Sequence, residues 1–288
     1  MAVQMHVAYS SSVEGAGIFA AGPYYYSEGS QRFAEASCSS SQSNLKNYEQ
    51  YAINQSIIET IDPVSNLKNT TAWVYSGLLD IVVYQDVVKN LVEFYEYFGV
   101  KTTAKFDIAS QHAWVTDDYG IPCNAIESPY ISNCDYDAAG TLLKAIYGES
   151  LTRKEQIHSN LKKFDQTFYS DSGSEMADAG FVYYPDVCKT QACKVHIAYH
   201  GCKMGIDFIG DVFARHSGLN GWAEGSGIIV VYPQIKKNTS KNPNGCWDWW
   251  GYTNKKYPLK SGLQMEATYK MAQGSIYRDA IKRIKDLF

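Results

Sequence analysis

Three places in the sequence set a residue able to move a proton or bind an anion just after an apolar, strand-like segment. Asp80 follows residues 72–77 (AWVYSG), His112 follows 101–107, and His200-Gly201-Cys202 closes 194–199 (KVHIAY). Open α/β sheets gather their ligands at such strand ends. A carboxylate there can fix the tautomer of an imidazole and stabilise the imidazolium, while backbone N–H groups hold an oxyanion. Acid before histidine is the second half of an α/β-hydrolase triad, in which the nucleophile comes first. Each residue also has a plainer reading: an Asp in a turn or helix cap, a structural histidine. Cys193, His196, His200 and Cys202 invite a zinc reading, but their spacing matches no common finger or ribbon.

The elements that must hold these residues follow from hydrophobic spacing. Met1, Ala2, Met5, Ala8 and Tyr9 mark one face of a helix at the start of the chain. Residues 15–21 read as a buried strand, 27–44 as a polar surface excursion, and 47–60 as a helix. Helices are also expected at 85–98, 137–147 and 267–287, with strands at 161–169 and 180–184. The β-branched run 227–233 (GIIVVYP) is typical of a central parallel strand. Strands alternating with helices imply one α/β domain over 1–288, a mainly parallel sheet with helices on both faces.

Composition narrows the class. With 45% hydrophobic and 19% charged residues, the chain is not disordered. A net charge of −4 leaves no footprint for nucleic acid. No apolar run approaches the ~20 residues of a membrane-spanning helix. Seven cysteines fall into three close or matched pairs, Cys123/Cys134, Cys188/Cys193 and Cys202/Cys246, leaving Cys38 over. Short-loop pairs favour disulfides and an oxidising compartment. The first residues show neither the basic nor the apolar region of a signal peptide.

Taken together, the motifs resemble those of the circularly permuted extracellular poly(3-hydroxybutyrate) depolymerases, α/β-hydrolase-fold serine esterases. The matching stretches are Met-Ala-Val-Gln-Met-His-Val-Ala-Tyr-Ser from Met1, Gly22-Pro-Tyr24, Ser76-Gly77-x-x-Asp80, His112 and Ser128-Pro-Tyr-Ile-Ser-Asn-Cys-Asp-Tyr-Asp137. They continue with His200-Gly-Cys202, Asn220-x-Trp-Ala223, Val231-Tyr-Pro-Gln234 and Asn242-Pro-Asn-Gly-Cys-Trp-Asp-Trp249. The resemblance implies that Asp80 is the triad acid, His112 the general base and the Cys202 N–H an oxyanion donor. It implies that Trp249 lines the cleft that grips the polyester, and that a Cys202–Cys246 disulfide ties the His-Gly-Cys loop to the Trp-rich loop. No metal or organic cofactor is implied. The partner of Cys38 is replaced within Gly22-Pro-Tyr-Tyr-Tyr26, so that bridge is expected to be lost.

The family's nucleophile sits in a Gly-x-Ser-x-Gly elbow directly before the Met-Ala-x-Gln helix. No such motif occurs in these 288 residues. Ser10, Ser11 and Ser12 lie at the far end of the helix, and Cys38 with Ser39, Ser40 and Ser41 lacks a strand-to-helix context. The expectation is a domain lacking its N-terminal nucleophile strand and elbow, hence a poor or inactive esterase alone. The full protein is expected to be a secreted or periplasmic monomer acting on a polyester polymer or its oligomers, with any signal peptide outside this chain. A feruloyl or acetyl-xylan esterase, or a catalytically silent polymer binder, is the alternative.

Overall fold

In a computed structural model, which describes residues 1–38 and 44–276, apolar side chains sort by strand parity onto the faces of two sheets. Helix α1 (Ala2–Ala8) leads into strand β1 (Gly15–Phe19), α2 (Gln31–Ser37), α3 (Leu45–Ile57), β2 (Thr71–Tyr75), α4 (Gln85–Tyr97) and β3 (Lys101–Lys105). Strands β4 (Trp114–Thr116), β5 (Ile121–Pro122) and β6 (Ile131–Asn133) precede α5 (Ala138–Tyr147), β7 (Leu161–Asp165), β8 (Ala179–Tyr183) and β9 (Lys194–Ile197). Short helices α6 (Ile206–Ile209), α7 (Val212–His216) and α8 (Leu219–Ser226) lead to β10 (Ile228–Tyr232) and α9 (Leu263–Ile276).

One sheet has the order β1-β2-β3 and is parallel throughout, with Gly17 beside Trp73 and Trp73 beside Thr103. A second has the order β7-β8-β10-β9, in which β9 and β10 are parallel and the other pairs antiparallel. Period-two alternation sends Ala72 and Val74 to a core shared with α1, α3 and α4, and Trp73 and Tyr75 to the opposite face. Likewise Ile228, Val230 and Tyr232 join Trp73 and Tyr75 in one core beneath α5, α7 and α8, while Ile229 and Val231 pack towards α9. The two sheets therefore share a covered face. The expected α/β-hydrolase-like architecture, mainly parallel with helices on both faces, is what the chain forms.

Some local expectations change. Residues 27–44 are not simply a surface excursion: they include α2, and Ser27 is fully buried. Residues 39–43, with the serines that follow Cys38, and the last part of the expected closing helix lie outside the described residues. The parallel three-stranded sheet β4-β6-β5 has no counterpart among the expected elements, because strands of two or three residues are too short to show a period.

Candidate active site

The loop after β2 carries Asp80, and its shape rests on the loop after β3. Leu78 N–H donates to the Ile108 carbonyl at 2.8 Å and Leu79 N–H to the Ser110 carbonyl at 3.0 Å. Parallel neighbouring strands bring both loops to the same sheet edge, so Asp80 meets His112. The His112 Nδ1–H donates to Asp80 Oδ2 at 2.8 Å. Asp80 Oδ1 accepts from the Val82 and Val83 N–H groups at 2.8 and 2.9 Å. The carboxylate is thus fully engaged and its side chain only 1% exposed, while that of His112 is 37% exposed. With the Nδ1 proton spent on Asp80, a neutral His112 carries its basic lone pair on Nε2. No described hydroxyl group hydrogen-bonds that nitrogen.

His112 lines a cavity of about 850 Å³ together with Cys202, Trp249, Trp250 and residues of β1 and β9. The wall beside Cys202 is rigidly built. His200 Nδ1–H donates to the Gly201 carbonyl at 2.8 Å, and its Nε2 accepts the Ile235 N–H at 3.3 Å. Burial draws the His200 pKa down to about 4, so the ring is neutral and both nitrogens are committed. His200 is a structural brace. Because it holds the carbonyl of the Gly201–Cys202 peptide, it points the N–H of that planar unit the other way. The Cys202 N–H binds no described residue, as an oxyanion donor requires.

Disulfides join Cys123–Cys134, Cys188–Cys193 and Cys202–Cys246. The third couples the His-Gly-Cys loop to the Trp-rich loop, as the resemblance implied. It also consumes one thiol of the zinc reading, while Cys193 is consumed by another, leaving no thiolate pair for a metal. Cys38 stands outside the disulfides and lies half-buried in the cavity wall near His112.

The Trp-rich loop is shaped by Asp248. Its carboxylate accepts from the Gly251, Tyr252 and Thr253 N–H groups at 2.7, 3.0 and 2.9 Å, and from the Thr253 hydroxyl. Trp247 is the core residue, 5% exposed, whereas Trp249 and Trp250 are half-buried on the cavity wall. Two braces are not foreseen from the sequence. Gln4 on α1 donates to the Asp248 carbonyl at 3.1 Å, and Ser27 Oγ donates to the Trp249 carbonyl. A lone Gln among apolar helix positions is the available signal for the first; nothing local marks the second.

No protein-family model matches the chain. It is 39% identical over 282 residues to a poly(3-hydroxybutyrate) depolymerase of Delftia acidovorans, covering 94% of this chain and 56% of that one. It is 32% identical to a polyhydroxybutyrate depolymerase of Talaromyces funiculosus, covering 93% of this chain and 83% of the relative. Among solved structures, a PHB depolymerase (S39A) complexed with an R3HB trimer superposes with a TM-score of 0.85 at 30% identity, covering 94% and 90% of the two chains. The PHB depolymerase of Penicillium funiculosum superposes at 0.84 and 29% identity, covering 95% and 89%. These relatives favour the depolymerase reading over a feruloyl or acetyl-xylan esterase. The chain belongs to the poly(3-hydroxybutyrate) depolymerase family.

Proposed function

We propose that the protein is a carboxylic ester hydrolase acting on poly(3-hydroxybutyrate) or its oligomers, with Asp80 as triad acid and His112 as general base. The observation that carries this reading is the 2.8 Å His112–Asp80 hydrogen bond on a cavity that also holds Cys202 and Trp249. A serine hydroxyl attacks the ester carbonyl as His112 Nε2 takes its proton. The Cys202 N–H donates to the oxyanion of the tetrahedral intermediate. Collapse breaks the bond to the leaving alkoxide, which receives the proton from His112. Water then attacks the acyl-serine with His112 again as base, releasing the acid and restoring the hydroxyl. Trp249 and its neighbour Trp250, whose rings stand nearly perpendicular to each other, give the polymer an aromatic wall.

The nucleophile of this scheme belongs on a strand–turn–helix elbow, and the 288 residues contain no Gly-x-Ser-x-Gly. This chain by itself is therefore a poor esterase, forming one permuted domain whose acid and base precede the oxyanion loop. The three disulfides favour an oxidising compartment, secreted or periplasmic, and the protein acts there as a monomer. Binding is testable without turnover. An (R)-3-hydroxybutyrate trimer should quench tryptophan fluorescence saturably, and Trp249→Ala should weaken the interaction at least tenfold. Saturable binding of feruloyl esters with none of the trimer would sink the substrate assignment.

A further inference from the structure

The cavity that holds His112 is walled by apolar and neutral polar side chains, with one exception. Among its described lining residues Lys203 is the only Lys, Arg, Asp or Glu. Asp80, hydrogen-bonded to His112, is not itself on the wall. No described carboxylate pairs with the Lys203 ammonium, and the side chain is exposed. Lys203 directly follows Cys202, the proposed oxyanion donor, so their Cα atoms stand about 3.8 Å apart. A single unpaired cation therefore stands beside the place where the ester carbonyl is to be held.

The lysine occupies a backbone position that favours glycine. Met204 N–H donates to the Gly201 carbonyl at 3.1 Å and closes a tight turn, in which Lys203 has a φ of 60°. A Cβ in that left-handed region crowds the neighbouring carbonyl, which glycine avoids. Two ties hold the lysine there. Its N–H donates to the Asn244 carbonyl at 2.7 Å, and the Cys202–Cys246 disulfide joins the same two loops one residue away. Asn244 is also exposed on the cavity wall. An ammonium and a side-chain amide thus stand side by side on one wall. Because the Lys203 backbone is already fixed, less remains to be ordered when its ammonium meets an anion.

From this lone cation we infer that Lys203 recognises the free carboxylate at the end of a hydroxybutyrate chain, so that the site takes oligomers by that end. The interior of such a polyester is neutral and offers only acceptors. An ionised group occurs at the chain end alone, and its charge-assisted bond to an ammonium is what an internal ester cannot make. The opposite end of the chain is a hydroxyl. A terminal carboxylate therefore lies on the leaving-alkoxide side of the ester being cut. In the last unit it is within one monomer of the scissile carbonyl, which suits a lysine adjacent to the Cys202 N–H. The Asn244 amide adds a neutral donor for the second carboxylate oxygen. The inference rests on the proposed esterase function and adds to it the end of the substrate that is preferred.

The test compares the (R)-3-hydroxybutyrate trimer acid with its methyl ester, which keeps the ester acceptors and removes the charge. Binding of each to the full chain is read by tryptophan quenching at neutral pH. The acid should bind about fivefold tighter, and the preference should shrink as salt is raised. Lys203→Gln should make the two affinities coincide, Lys203→Arg should keep the preference, and Lys203→Glu should reverse it. Equal affinities in the parent would overturn the inference while leaving the esterase site standing. So would a preference that survives Lys203→Gln. Competition by butyrate as strong as by the trimer acid would make this a general anion site and likewise overturn it. If neither form binds, the esterase function fails and this inference fails with it.

Discussion

Gly77 lies against Ser110 so closely that a Cβ on Gly77 would stand 2.3 Å from the Ser110 carbonyl oxygen. That contact seats the Asp80 loop on the His112 loop. Gly77→Ala should therefore cost about 1–3 kcal/mol of stability and disturb the His112–Asp80 hydrogen bond. Urea unfolding reads the first effect, and the proton resonance of His112 Nδ1 reads the second. A variant of parental stability with an unchanged resonance would show that the loops tolerate the methyl group.

Three histidines, His6 and His200 buried and His196 half-buried on the cavity wall, tie stability to pH. Burial pulls His6, His196 and His200 from the usual 6.5 down to about 4. Below pH 6.5 the unfolded chain takes up these protons and the native protein does not. Their contribution is thus full above pH 6.5 and falls by up to about 1.4 kcal/mol per pH unit for each histidine until pH 4. His6 Nε2–H donates to the Thr70 hydroxyl oxygen at 2.9 Å and Nδ1 pairs with the Tyr95 hydroxyl at 3.0 Å, both compatible with the neutral ring. His6→Gln should make urea-derived stability less steep between pH 6.5 and 4 by one histidine's share. Parallel curves for variant and parent would contradict this.

The tryptophans of the Cys-Trp-Asp-Trp-Trp loop divide by burial. Trp247→Ala empties a core position and should cost about 3–5 kcal/mol, seen in the denaturation midpoint. Trp249→Ala should cost much less and instead lose the hydroxybutyrate trimer. Equal destabilisation by both would make Trp249 a core residue.

The Cys202–Cys246 bridge closes a loop of 44 residues. By loop-closure entropy its removal should lower stability by up to about 4 kcal/mol. Replacing both cysteines with serine, and following unfolding together with amide exchange at residues 242–246, checks the size and location of the loss. A normal midpoint with normal exchange would mean that the hydrogen-bonded loop holds without the bridge.

Much of the fold is legible in the order of residues along the chain, for a local reason. In α4, Val88, Leu91 and Tyr95 repeat at helical spacing and are all buried. In β10, five consecutive apolar residues announce a strand covered on both faces. Asp80 and His112 are recognisable as types at strand ends, and the family's motifs implied the pairing that their hydrogen bond shows.

Other features depend on partners distant in the chain. Ser27 reads as one polar residue among many, and only docking against Trp249 and Tyr257 makes it a buried brace. Tryptophans two positions apart carry no local mark that sends Trp247 to the core and Trp249 to the cavity. The 2.8 Å meeting of His112 and Asp80 across 32 positions needs two parallel strands in register and a glycine at their crossing. Periodicity and propensity are properties of neighbouring residues, so the sequence alone decided the elements and the chemistry available at their ends. Which ends meet was decided by packing side chains that are far apart in the chain.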